Sequence, residues 1–368
     1  GASAAGLACA ACLSKEGIPY ILLEQHSQVA HSWRHHYDRL HLNTMKKYSS
    51  LPYLPFPEHS PVYVPKNDVV SYLENYLIKC KTLPVFNQTV TSITPKKNDW
   101  VVETTTDHYT ASNIIVATGY NRKPFLPEWQ GMKAYKGVVI HSSAYKNGGS
   151  FKGQKVLVIG FGNSACEIGL CLHEHGAFPS LSVQGPVNIV SRGNGTNNMA
   201  NFLESFAWVS RLAPRLVDSI NAPSIRARYG DLQRYGLQKL PYGPNVQIVH
   251  YNRAPLLDIG TYELIKKGNI PVYPGVKEFG QETVNFIDGR QQFFDAVVLA
   301  TGYRSALSDF IPEDLELFDR DGRPFISGSE STRSGIYFCG FKTSPVGMLR
   351  EIGLEARKIA RSLKKKLT

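Results

Sequence analysis

Residues 155–169 read KVLVIGFGNSACEIG. An apolar run, Val156-Leu157-Val158-Ile159, breaks at Gly160-Phe161-Gly162-Asn163-Ser164-Ala165 and then passes into a helical pattern. Strand, tight turn and helix in that order, with G-x-G-x-x-A across the turn, form the fingerprint of a dinucleotide-binding unit. Gly160 permits the sharp turn, Gly162 lets backbone approach a pyrophosphate, and Ala165 lets the helix lie close to the strand. Asn163 and Ser164 belong to the same loop, and the N–H groups at the helix start face the phosphates. A bare βα turn with no ligand is the alternative.

A second, similar loop argues against that alternative. Gly1-Ala2-Ser3-Ala4-Ala5-Gly6 leads into an Ala-rich helix former. Here Ser3 occupies the second glycine position, a small change that still crowds a pyrophosphate. Tyr20-Ile21-Leu22-Leu23 reads as a strand ending in Glu24, 18 residues after Gly6. That spacing suits a carboxylate on ribose hydroxyls; a solvated strand end is the other reading. The strand that ordinarily precedes such a loop is absent, so the sequence is expected to begin inside a longer protein.

The chain has 368 residues, 42% hydrophobic and 19% charged, enough for two domains with real cores. No apolar run is long enough for a transmembrane helix, and no signal peptide is visible. The net charge of +11 would attract a phosphorylated dinucleotide or an anionic substrate, and equally nucleic acid or an acidic membrane surface. A solvated basic face accounts for part of it, and Arg361 to Lys366 is expected to be a frayed helix end. Six scattered cysteines form no disulfide framework and suit a reduced, cytoplasmic setting. Cys9-x-x-Cys12 lies in the Ala-rich helix, where core packing is favoured over a redox role. The histidines and cysteines lack metal-ligand spacing, so no metal is expected.

Further along, Leu51 to Pro57 is a proline-rich irregular connection, and Asp68 to Tyr76 has helical periodicity. Thr89–Ile93 and Trp100–Thr104 read as a strand pair. Two apolar strands end in Ala-Thr-Gly, at Ala117-Thr118-Gly119 and Ala300-Thr301-Gly302, and they bracket the intact glycine loop. The expected fold is therefore α/β, with one Rossmann-like dinucleotide domain inserted into another. Residues 1–118 plus 303–368 are expected to make the outer dinucleotide domain, and 119–302 the inner one. Gly335 to Gly340 is a further strand-to-Gly turn, followed by an amphipathic helix from about Leu349 to Leu363.

Between the two glycine loops, Tyr135 to Tyr145 (YKGVVIHSSAY) resembles the F-x-G-x-x-x-H-x-x-x-Y/F fingerprint of the flavin-containing monooxygenases, with Tyr135 for Phe. Within that family the likeness is to the plant YUCCA-type enzymes and their bacterial relatives. It is carried by Tyr37-Asp38-Arg39-Leu40, Leu51-Pro52 with Pro55-Phe56-Pro57, and Gly160 to Ser164. Leu257 to Thr261, Pro274-Gly275-Val276 and Leu299 to Tyr303 also carry it. The resemblance spans nearly the whole chain. Departures are Ser3 for Gly, no Gly-Gly before Trp33-Arg34, and a poor match over Ser191–Arg228. Tyr145-Lys146 stands where the Baeyer–Villiger form of the fingerprint has Trp-Pro.

The resemblance implies a class B flavin monooxygenase with FAD, NADPH as reductant and O2 as oxidant. In such an enzyme hydride passes to the flavin, a C4a-hydroperoxide forms, and the pocket shields it from water. It implies oxygenation of a small organic substrate, with oxidative decarboxylation of indole-3-pyruvate to indole-3-acetate as the suggested case. Small amines, sulfides and other 2-oxo acids stay open. The alternatives are a flavoprotein reductase or oxidase of the same architecture and a non-catalytic nucleotide-binding protein. Partners are the substrate and O2, not nucleic acid, with a homodimer left open.

Asn43 is the catalytic candidate, because an amide can donate to one oxygen and accept from another without acting as an acid; an Asx turn is its alternative. FAD is expected on Gly1, Ser3, Gly6 and Glu24, with Trp33 and Arg34 lining the flavin side, or else simply packing. Arg192, helped by Ser191, follows the strand Val187–Val190, where a 2′-phosphate would lie; a solvated strand-end Arg is the other reading. Thr118, Thr301 and Gly302 are expected to be backbone crossings against the cofactors, and His141 to organise the domain junction.

Overall fold

A computed structural model describes residues 1–192, 212–344 and 347–367. Residues 193–211, within the poorly matching Ser191–Arg228 stretch, lie outside the described residues. The chain forms two compact units. The first comprises Gly1–His35, Thr44–Lys123 and Tyr303–Thr368, and the second His36–Asn43 and Pro124–Gly302. Two short strands, β7 (Lys123–Pro124) and β18 (Tyr303–Arg304), mark the long excursion between them. The expected first crossing, at 118/119, lies five residues earlier than this one. The assignment of residues 36–43 to the second unit has no counterpart in the sequence reading.

The first unit opens with helix α1 (Ala4–Lys15), whose residues Ala4 to Leu13 are all buried. Its alanines and cysteines are small and apolar all round, so no face needs solvent. Cys9 and Cys12 are buried in the core side of this helix, and all six cysteines are free thiols. After it come β1 (Leu22–Leu23), parallel to β2 (Pro84–Val85), and helices α2 (His31–His35) and α3 (Lys66–Lys79). A meander of β3 (Val90–Lys96), β4 (Asp99–Thr104) and β5 (His108–Ala111) follows, and β6 (Ile114–Val116) runs parallel to β19 (Ile336–Phe338). The expected strand over Tyr20–Leu23 shrinks to its last two residues. The expected pair at 89–104 holds and gains a third strand.

The core of this unit gathers Ile93, Trp100, Val102, Val116, Phe310, Ile336 and Phe338. The final helix (Met348–Leu367) buries Leu349, Ile352, Ala356, Ile359, Ala360 and Leu363. That is one face at the 3.6-residue period. It does not fray at Arg361. Lys364 Nζ donates to Glu16 O at 3.0 Å and Lys366 pairs with Glu330 at 2.5 Å. Both fix the last two turns.

The second unit carries a five-stranded sheet in the order Val272–Tyr273 (β13), Phe178–Ser182 (β10), Lys155–Ile159 (β9), Ala296–Leu299 (β17), Val138–His141 (β8). All its pairings are parallel. Successive side chains of a strand point to opposite faces. Val156 and Val158 join one cluster with Ile168, Leu172 and Leu181. Leu157 and Ile159 join another with Phe279, Val284 and Phe286. β9 is buried on both faces, which explains its unbroken apolar run. Helix α4 (Asn163–Glu174) covers the first face. The antiparallel strands β14 (Val276–Phe279), β15 (Thr283–Phe286) and β16 (Gln291–Phe293) supply the second cluster. Beyond the sheet, β11 (Ile189–Ser191) pairs in parallel with β12 (Leu256–Asp258). It begins two residues later than the expected strand, because Val187 bridges Lys239 instead. Three further helices are α5 (Pro214–Tyr229), α6 (Pro244–Tyr251) and α7 (Thr261–Lys266), and the Met348–Leu367 helix is α8.

Glu355 of α8 is buried, and one carboxylate oxygen accepts the Gly340 N–H at 2.6 Å while the other has no partner. Burial pushes its pKa up to about 7, against the Gly340 and Ser327 hydrogen bonds; Glu351 nearby pushes the same way. The folded state therefore holds a proton that the unfolded chain releases near pH 4.5. Stability falls as pH rises from about 4.5 to about 7 and is level above that. Glu355→Gln should shrink the loss of unfolding free energy between pH 5 and pH 8 by roughly 1–3 kcal/mol. Urea titrations at the two pH values measure it; an unchanged difference would exclude Glu355 as the source.

Candidate nucleotide sites and the segment 36–43

In the first unit the opening loop closes on itself. Ser3 is the extended N-cap residue of α1, and its carbonyl accepts Leu7 N–H at 2.9 Å; its hydroxyl makes no cap bond. A Cβ on Gly6 would stand 1.8 Å from the Gly1 carbonyl oxygen, so only glycine fits there. Glu24 reaches this loop. One carboxylate oxygen accepts the Ala2 N–H and the other accepts His26 N–H at 2.9 Å. The strand-end acid is thus buried and ties β1 to the loop. Beside it His26, His31 and His35 stack, with ring centroids 3.2 and 3.9 Å apart. Burial, then the two neighbouring imidazoles, push His31 down to about 4. Trp33 is half-buried. Arg34 gives its Nε–H to Val29 O at 3.0 Å and pairs with Glu74 of α3, so its guanidinium fastens α2. Thr118 is exposed after β6.

In the second unit the turn after β9 has two glycines with different demands. Gly160 has φ of +130°, and a Cβ there would lie 2.5 Å from Ala300 O. Gly162 is the N-cap of α4 with ordinary φ, and a Cβ there would meet nothing within 4 Å. The space over Gly162 is open and the α4 N-terminus has no side-chain cap. This is the cradle a pyrophosphate requires, with free N–H donors and the positive end of the helix dipole. Asn163 Oδ1 accepts the Leu257 N–H at 2.8 Å, so this side chain anchors the helix start to β12. Ser164 is half-buried, and Ala165 is in the core. Ser191 closes β11, and Arg192 N–H donates to Asp258 O at 3.2 Å.

The second Ala-Thr-Gly crossing is held from within the same unit. Thr301 Oγ1 donates to Phe125 O at 2.6 Å. Gly302 O accepts His141 Nε2–H at 3.0 Å, while His141 Nδ1 accepts Ser143 N–H at 3.1 Å. A carbonyl can only accept and an amide can only donate, so the neutral Nε2–H tautomer is fixed. Burial lowers the pKa of this ring and keeps it neutral. The fingerprint histidine is a buried link between Gly302 and Ser143, both within the second unit.

Residues 36–43 sit on α4 and its surroundings. Asp38 N–H donates to Lys146 O at 2.9 Å, and Asp38 Oδ2 accepts Asn147 Nδ2 at 3.0 Å. Arg39 pairs with Glu174, and buried Tyr37 hydrogen-bonds buried Glu167, two turns earlier on the same helix. The segment ends at Asn43, whose Oδ1 is buried with no hydrogen-bond partner. A buried amide oxygen left in that state costs of order 1–3 kcal/mol unless something accepted by the fold fills the gap. The Tyr37-Asp38-Arg39-Leu40 motif thus acquires a task. Glu167 went unnoticed in the sequence; the available signal was an acid among Ala165, Cys166 and Ile168, on a face that otherwise reads as core. Among the described residues no cluster of three His, Cys, Asp or Glu side chains has a metal-binding arrangement, and no helix is long and apolar enough to cross a membrane.

Residues 1–197 match the family described as pyridine nucleotide-disulphide oxidoreductase. The chain is 37% identical over 348 residues to indole-3-pyruvate monooxygenase YUCCA1 of Oryza sativa subsp. japonica, covering 93% of this chain and 85% of that protein. It is 36% identical over 379 residues to indole-3-pyruvate monooxygenase YUCCA6 of Arabidopsis thaliana, covering 99% and 89%. The fold is similar to that of a flavin-containing monooxygenase from Stenotrophomonas maltophilia, with a TM-score of 0.74 and 19% identity over 98% of this chain and 96% of the other.

The two glycines of the second loop separate stability from binding. Gly160→Ala should lower the melting temperature through backbone strain and the Ala300 clash, a cost of about 1–3 kcal/mol. Gly162→Ala should leave it within about 1 °C and weaken NADP+ binding at least ten-fold, since its methyl group fills only the cradle. Calorimetric titration and thermal melts test this; equal losses of stability in both variants would refute it.

Proposed function

The chain belongs to the YUCCA-type flavin-containing monooxygenases, and from that premise we propose that it converts indole-3-pyruvate to indole-3-acetate. It is an FAD- and NADPH-dependent monooxygenase. The observation that carries the substrate is the 37% identity, across 93% of the chain, to a rice protein named for that 2-oxo acid. In the proposed reaction one O2, one NADPH and one proton are consumed per 2-oxo acid. One oxygen atom enters the new carboxylate, the other leaves as water, and the old carboxylate leaves as CO2.

FAD and NADPH supply the electron-transfer and oxygen-activating chemistry; the chain binds, orients and shields. In this reading Gly1, Ser3 and Gly6 give FAD a closed loop and a helix N-terminus, and Glu24 meets its ribose, with Trp33 alongside and Arg34 fastening the helix that bears it. Gly160, Gly162, Asn163, Ser164 and Ala165 form the NADPH cradle. The open space over Gly162 supports that assignment. Arg192, with Ser191, takes the 2′-phosphate. Thr118, Thr301 and Gly302 present backbone to the cofactors. Asn43 is the catalytic amide, supported by its buried, unpartnered Oδ1. That oxygen would accept a hydrogen bond from an O–H of the reacting group, and the amide N–H would donate to a second oxygen. A cytoplasmic setting belongs to the same proposal, supported by six free thiols.

The test mixes NADPH-reduced protein with O2 in a stopped-flow spectrometer, with and without indole-3-pyruvate. A transient distinct from reduced and oxidised flavin should decay faster with indole-3-pyruvate, with CO2 released one for one with NADPH. Asn43→Ala should lower kcat about 10- to 100-fold and raise H2O2 per NADPH. Hydrogen peroxide equal to NADPH in the wild type, unchanged by indole-3-pyruvate, would overturn the assignment.

A further inference from the structure

The last helix, α8, turns charge of one sign outward. Its sequence, MLREIGLEARKIARSLKKKL, holds seven cations against two acids. Both acids, Glu351 and Glu355, are buried. Lys364 and Lys366 are tethered to Glu16 O and Glu330. Arg357, Lys358, Arg361 and Lys365 line a groove of about 590 Å³ with Leu354 and Ser362. Among the described residues its lining contains no acid. The lining recurs at three- and four-residue steps and so forms one helix face, roughly 17 Å long from Leu354 to Lys365. Leu354 is exposed at the head of the row, and the Arg357 guanidinium lies 5.6 Å from the ring centroid of exposed Tyr53. A merely solvated helix face mixes signs, because like charges three and four residues apart repel. Arg357 with Arg361, Lys358 with Arg361, and Arg361 with Lys365 are all such pairs. The helix dipole favours cations in the last turn only, and Arg357, Lys358 and Arg361 precede it. Neither term of folding accounts for this row, whereas an anionic partner does.

We propose that this face of α8 docks the protein reversibly on a bilayer surface carrying anionic phospholipids. Charge complementarity sets the sign of the partner. The spread of the cations sets its shape: Arg357 to Lys365 covers roughly 12 Å, which suits a flat array of headgroups better than one compact anion. Leu354 and Tyr53 set its chemistry. Beside the cations, an apolar side chain and a phenol can enter a headgroup layer, with the Lys and Arg stems lying along it. On a nucleic acid they would meet only phosphate and sugar. Among the described residues no helix is long and apolar enough to cross a membrane, so this attachment is peripheral. Each Lys or Arg close to an anionic surface strengthens binding roughly five-fold, and the effect falls off within a Debye length. Four such cations give a weak, salt-sensitive association. The proposal is independent of the substrate assignment.

The experiment is sedimentation of the FAD-loaded full chain with vesicles of phosphatidylcholine, alone or with about 30% phosphatidylserine, at about 50 and about 300 mM salt. At low salt the phosphatidylserine vesicles should bind at least about ten-fold more tightly, and high salt should abolish the preference. Lys358→Gln combined with Arg361→Gln should weaken this binding about 25-fold without lowering the melting temperature, since the pair repels. Lys267→Gln combined with Lys277→Gln removes the same charge from the second unit and should bind like wild type. Leu354→Asn should weaken vesicle binding about two- to five-fold. No preference for phosphatidylserine would overturn the proposal. An equal loss in the Lys267 and Lys277 variant would reduce the effect to net charge and sink the α8 face. Equal affinity for a DNA duplex at low salt, lost in the Lys358 and Arg361 variant, would make the partner a polyanion and sink the bilayer. If that variant folds poorly, Lys365→Gln alone should bind about five-fold more weakly, and unchanged affinity would refute the docking face.

Discussion

Burial of β9 on both faces is the constraint from which the second unit follows. Val156 and Val158 are committed to the α4 side, and Leu157 and Ile159 to the side of the antiparallel strands. A strand so committed has one register, since a one-residue slip would exchange its faces. The chain must then leave the sheet and cross back over it within a few residues. Gly160 makes that turn in a conformation closed to other residues, against the Ala300 carbonyl. The helix that follows starts where the strand ends, with its amide groups uncapped over the open space at Gly162. The open space at the start of α4 is a by-product of how the core is filled.

Buried carboxylates recur around these loops, and each is handled differently. Each carboxylate oxygen of Glu24 accepts one backbone N–H. Glu355 has one such partner and an orphan oxygen, and burial holds it protonated near neutrality. Glu167 has a phenol and an arginine for company and is also raised to about 7.

Much of the fold was legible because its signals are local. The βα turn, the parallel strands at 155–159 and 296–299, the amphipathic 348–367 helix and the small-residue packing of α1 all follow from periodicity and residue size. Even so, Tyr20 to Leu23 has the composition of a strand but pairs over only Leu22–Leu23. The last turns of α8, which repulsion among Lys364, Lys365 and Lys366 would be expected to loosen, are held by Glu16 O and Glu330. In both cases the deciding partner is distant in sequence, and propensity is blind to it.

The sequence by itself determined which residues could sit in tight backbone: Gly6, Gly160 and Gly162 are needed wherever a chain turns this sharply or leaves room for a phosphate. It also determined the family, through motifs spread along its whole length. Only the tertiary structure decided what the charged and polar residues do. It put His36 to Asn43 with the second unit, turned Arg34 towards Glu74, gave His141 to Gly302, and brought Tyr37 and Arg192 to Glu167. The reason is physical. Backbone conformation is fixed by the residue itself and its immediate neighbours, whereas the state of a buried charge is fixed by whatever the fold carries to within a few ångströms of it.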